Sequence, residues 1–306
     1  MFLSEYAPLE YLINQDEPGV LSIIVDRSGP GYRNIGAMMA FSQSGEKIGS
    51  LSSGCIEDDL WLTAKKALKT NVPIISHYGG ESKIMDLKLP CGGDMHILSL
   101  PNPDLIILTD IMSRLAGRKK TGISIDVSSG KISLSKPIQQ SLDNETFSFN
   151  LTPELKLIVM GTGSETEAFC SLSIAANIEI KLLTPDLSLI NHKLNSITDS
   201  YHLKSVNDIP NLSIDSWTAI VLFFHDHDWE PALIKSVLNS DAFFIGAQGS
   251  KTAHRNLVEK LTELGCSKTH LSKLQPQIGL IPSARDPKTL AISVLADIVK
   301  YSNLNN

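Results

Sequence analysis

Cysteine is scarce in this chain, and what there is does not cluster. Four cysteines, Cys55, Cys91, Cys170 and Cys266, lie far apart over 306 residues. None falls in a CxxC pair or a zinc-ligand spacing, which excludes a disulfide scaffold and a structural zinc module. Basic blocks are absent as well. With a net charge of −6 and no cluster of Lys and Arg, the chain lacks the footprint of a protein that binds nucleic-acid backbone. No apolar run is long enough to span a bilayer, so no membrane partner is expected. The opening MFLSEYAPLEYLINQDEPG has no cationic leader, and Glu5 and Glu10 interrupt its apolar residues, so it does not read as a secretory signal. Together these absences predict a cytoplasmic protein with reduced thiols.

What is present predicts two domains of different character. Hydrophobic residues at 42% and charged residues at 20% are globular values, and the length suits two ordinary domains. The first half reads as strand-rich. LSIIVDRSG is an apolar run ending in a turn, AMMAF and KIGSL flank the hairpin residues Ser42 to Gly45, and strands follow near Pro73–Tyr78 and Met95–Leu100. After Gly54 the period changes: Ile56, Leu60, Ala64 and Leu68 recur every four residues, with Glu57, Asp58 and Asp59 at the start and lysines at the end, as a helix dipole favours. A helix over Asp104–Leu115 and a short hairpin, ISIDVSSGKISLS, complete the half, and the polar stretch 139–153 reads as a linker. The second half alternates strand and helix: LKLIVMG, a helix from Ser164, IEIKLL, AIVLFF, a helix near Pro231, AFFIGA, a helix from Lys251, and a last helix capped by Asp286 with Pro287 at its first position. That alternation predicts a mostly parallel sheet with helices on both faces. The expected organisation is an α/β protein with an α+β domain over residues 1–138, the linker, and a Rossmann-like domain over 154–306.

Several stretches carry candidate chemistry. In IGSLSSGCIEDDL a cysteine follows a Ser-Ser-Gly turn at the expected first turn of a helix. A thiol there is favoured as thiolate by free N–H groups and the dipole, while Glu57, Asp58 and Asp59 oppose this by repulsion. PCGG repeats the theme at Cys91, Gly92 and Gly93. Two sulfurs beside glycines point to a ligand site formed by Ser53, Gly54, Cys55, Cys91, Gly92 and Gly93; inert small residues are the bland alternative. GTGSET, Gly161 to Thr166, follows a strand and opens a helix, the context of a dinucleotide fingerprint, so Gly161 and Gly163 are candidates for a phosphate. However, Thr166 stands where Gly or Ala is usual, and Thr184 where a ribose-binding acid is expected. The alternative is a tight turn in a Rossmann sheet. In FFHDHDWEP, His225, Asp226, His227 and Asp228 offer metal ligands or an acid–base pair, or else Asp228 caps the next helix and the histidines are solvated. GAQGSKTAHR lacks P-loop spacing; Ser250 reads as a helix cap after Gly249, with Lys251 and Arg255 able to hold an anion.

These stretches, taken in order, resemble the XdhC/CoxI family, the xanthine dehydrogenase accessory proteins. The resemblance rests on GAMMAFSQSGEKIGSLSSGCIEDDL, LPCGGDMHILSLP, the strand–GTG–helix, FFHDHD, FFIGAQGSKTAHRNLVEKL and IGLIPSARDPKTLAISVLADI; residues 101–150 contribute no recognisable stretch. The resemblance implies a protein that binds the molybdenum cofactor as cargo, holds it while a cysteine desulfurase supplies its terminal sulfido ligand, and supports its insertion into a molybdenum hydroxylase apoenzyme of the xanthine dehydrogenase type. It implies a maturation chaperone more than a catalyst, and a homodimer. The family's cysteine falls on Cys55, a candidate molybdenum contact, and its CGG on Cys91, Gly92 and Gly93; both cysteines would carry the chemistry. Three family positions depart: the strand-end aspartate is Thr184, the basic residue after it is Asp186, and the histidine after the glycine pair is Ser164. The departures gather at the nucleotide-like site, and they suggest a client other than xanthine dehydrogenase. The competing expectations are an NAD(P)-dependent oxidoreductase and a non-catalytic scaffold that docks desulfurase and client.

Overall fold

The computed structural model describes residues 4–79, 92–194, 196–197 and 199–305. The chain divides into two compact units, Met1–Pro153 and Glu154–Asn306.

The first unit is built on two antiparallel sheets. Its elements are α1 (Ala7–Asn14), β1 (Gly19–Ser28), β2 (Met38–Ser42), β3 (Lys47–Gly49), α2 (Glu57–Thr70), β4 (Ile74–Tyr78), β5 (Asp94–Pro101), α3 (Leu105–Ala116), β6 (Thr121–Asp126), β7 (Ile132–Ser135), β8 (Ser141–Leu142) and β9 (Thr146–Leu151). The larger sheet has the order β3-β2-β1-β5-β4, the smaller β7-β6-β9-β8. β1 lies in the middle of the larger sheet and is buried over its first seven residues, which is why its sequence is a nearly continuous apolar run, broken at Ser22, rather than an alternation. On one face Val20, Ile24, Met95 and Ile97 pack with Leu60 and Ala64 of α2. On the other, Leu21, Ile23, Leu98 and Leu100 meet α1, α3 and the smaller sheet. The expected hairpin forms between β2 and β3, with Gly45 at φ +104°, a backbone conformation that favours glycine. Asp104, read from the sequence as the first residue of the helix, is its N-cap and accepts from the Ile106 N–H at 2.9 Å.

The linker expected over 139–153 is not a linker. β9 occupies its Thr146–Leu151 segment, pairs with β6 along its whole length, and buries Phe147, Phe149 and Leu151. The alternation in TFSFNL is that of a half-buried strand, and the polar residues between the aromatics hide it from a reading by composition. The helix after Gly54 also begins later than expected: Ile56 is its N-cap, so Cys55 precedes the helix instead of lying in its first turn.

The second unit is a doubly wound parallel sheet. It comprises β10 (Lys156–Gly161), α4 (Gly163–Ala175), β11 (Glu179–Thr184), a π-helical turn (Leu189–Lys193), β12 (Asp199–His202), β13 (Thr218–Phe223), α5 (Glu230–Val237), β14 (Phe244–Ala247), α6 (Lys251–Glu263), α7 (Lys268–Leu271) and α8 (Pro287–Asn305). The strand order is β12-β11-β10-β13-β14, all parallel. α4 and α8 cover one face around Phe169, Val294 and Ile298; α5 and α6 cover the other around Ile234, Leu257 and Leu261. The Rossmann-like expectation holds, as do the caps: Asp286 Oδ1 accepts from the Thr289 N–H at 2.9 Å and Ser250 Oγ from the Ala253 N–H at 3.1 Å. β12 is a short polar edge strand that carries no hydrophobic signal in the sequence. Among the described residues no helix is long and apolar enough to cross a membrane.

Because Phe147 is fully buried in the core, Phe147→Ala is expected to destabilise the protein by about 3–5 kcal/mol. The measurement is the midpoint of urea unfolding; a shift no larger than that of an exposed substitution would return 139–153 to the status of a connector.

Candidate functional site

The loop before α2 is organised around a single carboxylate. Glu57 Oε1 accepts from the Ser50 hydroxyl at 2.8 Å, the Leu51 N–H at 3.1 Å and the Ser52 N–H at 2.9 Å. Oε2 accepts from the Ser52 hydroxyl at 2.5 Å, the Gly54 N–H at 2.9 Å and the Ile56 N–H at 3.1 Å. The remaining amides are held by the serines: Ser53 N–H donates to Ser50 Oγ at 3.0 Å, and Cys55 N–H to Ser52 Oγ at 3.0 Å. The N–H groups of residues 51 to 56 therefore all have partners inside the loop. Ser53 at φ +64° and Gly54 at φ +102° give the chain the curvature to close around the carboxylate. Burial pushes the Glu57 carboxyl up, but the Ser52 hydroxyl and amide and the Ser50 hydroxyl outweigh it and bring the pKa down to about 2.

This arrangement decides what the loop can bind with. Its backbone donors are committed to Glu57, which is only 8% exposed, and to the Ser50 and Ser52 hydroxyls, while Cys55 is exposed. The group the loop leaves to solvent is thus the thiol. The other two acids of the helix start do not crowd it freely. Asp58 pairs with Lys47 Nζ at 2.5 Å, and Asp59 accepts from the Tyr78 hydroxyl at 2.8 Å. Of the predicted partners in this unit, Cys91 lies outside the described residues. Gly92, at φ +72°, and Gly93 pack at the ends of the strands; a Cβ on Gly29 would stand 3.6 Å from each, and one on Gly79 would meet Gly93 O at 2.8 Å. A cavity of about 440 Å³ is lined by Tyr32, Arg33, Lys47, Gly49 and Ser50, and Ser50 opens the cysteine loop.

In the second unit the predicted residues do come together. β10 and β13 are neighbours, and the chain leaves β10 toward β11 on one side but reaches β13 on the other. Their carboxyl ends flank the switch point where open α/β sheets bind ligands. Gly161 ends β10 there, opposite Phe223. A Cβ on Gly161 would fall 2.5 Å from both Phe223 O and Thr166 Oγ1, so this glycine serves close packing of strand and helix around the buried Thr166. Glu165 stands in the first turn of α4, beside the turn read from the sequence as a phosphate site. Its Oε2 accepts from the Ser164 hydroxyl at 3.1 Å and lies 3.2 Å from His225 Nε2, and 3.7 Å from where a Gly163 Cβ would be. Burial pushes Glu165 up, yet its own amide and His225 hold it below the usual carboxylate value. An incoming pyrophosphate at this helix start would meet that negative charge.

The HDHD segment is fully engaged. His225 is tied to Glu165, Asp226 Oδ1 accepts from the Asp228 N–H at 3.1 Å, His227 Nδ1 lies 3.0 Å from the buried Glu230, and Asp228 meets Lys260 at 3.2 Å. Asp228 does not cap α5, whose N-cap is Trp229 without a side-chain bond. His227 Cε1 stands 3.9 Å from where a Gly249 Cβ would be, so Gly249 and Ser250 border the same edge. Two features escape a reading of the sequence. Glu57 reads there as a helix-dipole acid; the S-x-S-S-G spacing before it, which sets hydroxyls and a turn around a carboxylate, is the available signal. His77, Asp94 and His96 do not stand out, because a cross-strand cluster leaves no spacing in sequence; their ligand atoms lie within 4.8 Å of one another.

Comparisons with known proteins bear on both units. The sequence matches the XdhC and CoxI family over residues 12–79 and the XdhC Rossmann domain over residues 157–298. It is 28% identical, over 91% of its length and 82% of the relative, to a protein of Escherichia coli (strain K12) named molybdenum cofactor insertion chaperone PaoD. It is 22% identical, over 95% of its length and 96% of the relative, to a Bacillus subtilis (strain 168) protein named as a probable component of xanthine dehydrogenase. The crystal structure of a Bacillus halodurans protein described as a xanthine dehydrogenase shares the fold, with a TM-score of 0.82 over 99% of this chain and 97% of that one, at 20% identity.

The Glu57 network gives a pH-dependent prediction. A carboxyl whose folded pKa is about 2, against an ordinary 4.5, stabilises the fold fully above pH 4.5 and loses that contribution as pH falls toward 2. Glu57→Gln is expected to cost about 1–3 kcal/mol at pH 7, from lost charge-assisted hydrogen bonds, with the gap closing below pH 4.5. Urea unfolding at pH 7 and pH 3 measures it; an equal gap at both would contradict the charge assignment.

Proposed function

The chain belongs to the XdhC/CoxI family, and from that premise we propose that it carries the molybdenum cofactor and supports its delivery to a molybdenum hydroxylase apoenzyme of the xanthine dehydrogenase type. The cargo is held while a cysteine desulfurase installs its terminal sulfido ligand. The protein's part is binding, protection and hand-off; no step requires it to turn over a substrate.

The observation that carries the reading is the exposed Cys55 on a loop whose own donors are satisfied by Glu57. A thiolate is a soft ligand suited to the metal end of a dithiolene-bound centre. Because the loop is closed on an internal carboxylate, it presents that sulfur from a fixed backbone and needs no cargo to order it. The rest of the cofactor is a flat pterin bearing a phosphate. The adjoining cavity offers Arg33 and Lys47 for the phosphate and Tyr32, 66% exposed, for the ring. Arg33 pairs at 3.6 Å with Glu5 and Lys47 at 2.5 Å with Asp58, surface pairs worth no more than about 1 kcal/mol, which a phosphate dianion can displace. Gly92 and Gly93 would carry Cys91 as a second sulfur on the same unit. The alternative of an NAD(P)-dependent oxidoreductase gains nothing from the second unit, where Glu165 faces the phosphate position and Thr184 replaces the ribose-binding acid.

Protein purified from cells that make the cofactor is expected to contain molybdenum and oxidisable pterin, and Cys55→Ala to lose most of both while keeping its circular dichroism. Metal analysis and pterin fluorescence read the two contents. Equal loading of the variant would remove Cys55 from the role. A wild-type protein that carries neither, yet binds desulfurase and apoenzyme regardless of Cys55, would establish the scaffold reading instead.

A further inference from the structure

His77, Asp94 and His96 form a second cluster of the first unit that the cofactor-carrying role does not use. We propose that these three residues bind one zinc-class divalent cation. The sheet register creates the site. β4 and β5 pair antiparallel with His77 directly opposite His96, so both side chains emerge on one face, and Asp94, two residues before His96, shares it. The strands lie close at this end: a Cβ on Gly79 would meet Gly93 O and the Asp94 Cα at 2.8 Å.

The side chains are already gathered as a ligand set. His77 Nε2 stands 2.8 and 2.9 Å from the two oxygens of Asp94, and the two imidazoles stack with ring centroids 4.5 Å apart at 6°. One ligand atom from each of the three residues falls within 4.8 Å of the others. Ligand atoms about 2.1 Å from a tetrahedral metal lie about 3.4 Å apart, so the widest pair must close by up to about 1.4 Å, within the reach of side-chain torsions. Across the bulge between Ile24 and Asp26, Asp26 pairs with His96 and places Oδ2 3.6 Å from His96 Nδ1. That carboxylate, at ion-pair rather than hydrogen-bond distance, adds negative charge that favours a bound cation. The three ligands are about one-third exposed, at 30%, 28% and 37%, so an ion and its waters have access. Two imidazoles with one carboxylate favour zinc, nickel, cobalt or ferrous iron over magnesium or calcium, which prefer all-oxygen sites. The bound ion would tie β4 to β5.

The test titrates the full chain with Zn²⁺ alone, in the wild type and in a Cys55→Ser background that removes the exposed thiol. Both are expected to take up one equivalent with micromolar affinity and to rise in Tm. His96→Ala and Asp94→Asn are each expected to weaken binding at least tenfold and to abolish the Tm shift. Two variants are used so that one misfolding does not decide the outcome; circular dichroism reports on each. Co²⁺ in place of Zn²⁺ should give ligand-field bands without a thiolate charge-transfer band. Unchanged Zn²⁺ affinity in both folded variants, no Zn²⁺ uptake by the wild type, or a thiolate band that vanishes with Cys55→Ser would each overturn the proposal. None of these outcomes depends on whether the protein carries the molybdenum cofactor.

Discussion

A carboxylate closed inside its own loop sets the first unit's functional edge. Glu57 gathers two serine hydroxyls and four backbone N–H groups, and the strength of such charge-assisted bonds lies in a partly desolvated anion. Three consequences follow from it. α2 starts directly after the network, with the N–H of its N-cap Ile56 bonded to Glu57 Oε2 at 3.1 Å. Ser53 and Gly54 are held at positive φ, where the chain must turn sharply around the anion. Cys55, next along the chain, has its N–H tied to Ser52 and its side chain in solvent. The thiol's placement is thus a product of the network rather than of the helix dipole.

The second unit uses a related device for a different end. Glu165 stands in the first turn of α4 and is joined to His225 from the end of β13, so the loop that follows β10 is linked to the neighbouring strand. Gly161 lets β10 and α4 approach, with Thr166 Oγ1 donating back to Thr162 O at 3.0 Å. Of the glycines that look like a phosphate-binding turn, Gly161 is explained here by packing and Gly163 by its φ of +73°, and the charge at the helix start is negative. A Rossmann sheet can keep its architecture while its dinucleotide edge is rebuilt, because the sheet is stabilised by buried aliphatics such as Val159, Val221 and Leu182 and not by the loop residues.

Legibility followed the range of the interactions concerned. The capping of α6 by Ser250 and of α8 by Asp286 spans three residues and can be read directly. The alternating strands and helices of the second unit are equally plain. β9 is hidden because its aromatics alternate with Ser and Asn in a polar neighbourhood, and β12 because an edge strand needs few apolar residues. Local grounds give Asp228 to α5, but Lys260, 32 positions away in sequence, claims it.

The sequence by itself determined the two-domain division of character, the parallel sheet with its helices, and the residues that mark the family, since all of these rest on local periodicity and on motifs contiguous in the chain. Only the tertiary structure decided which side chains meet. It turned Glu57 inward and Cys55 outward, brought His225 to Glu165, and set His77 against His96 and Asp94. Contacts of that kind are fixed by strand register and helix placement, which emerge when the whole core packs and leave no spacing along the chain to read.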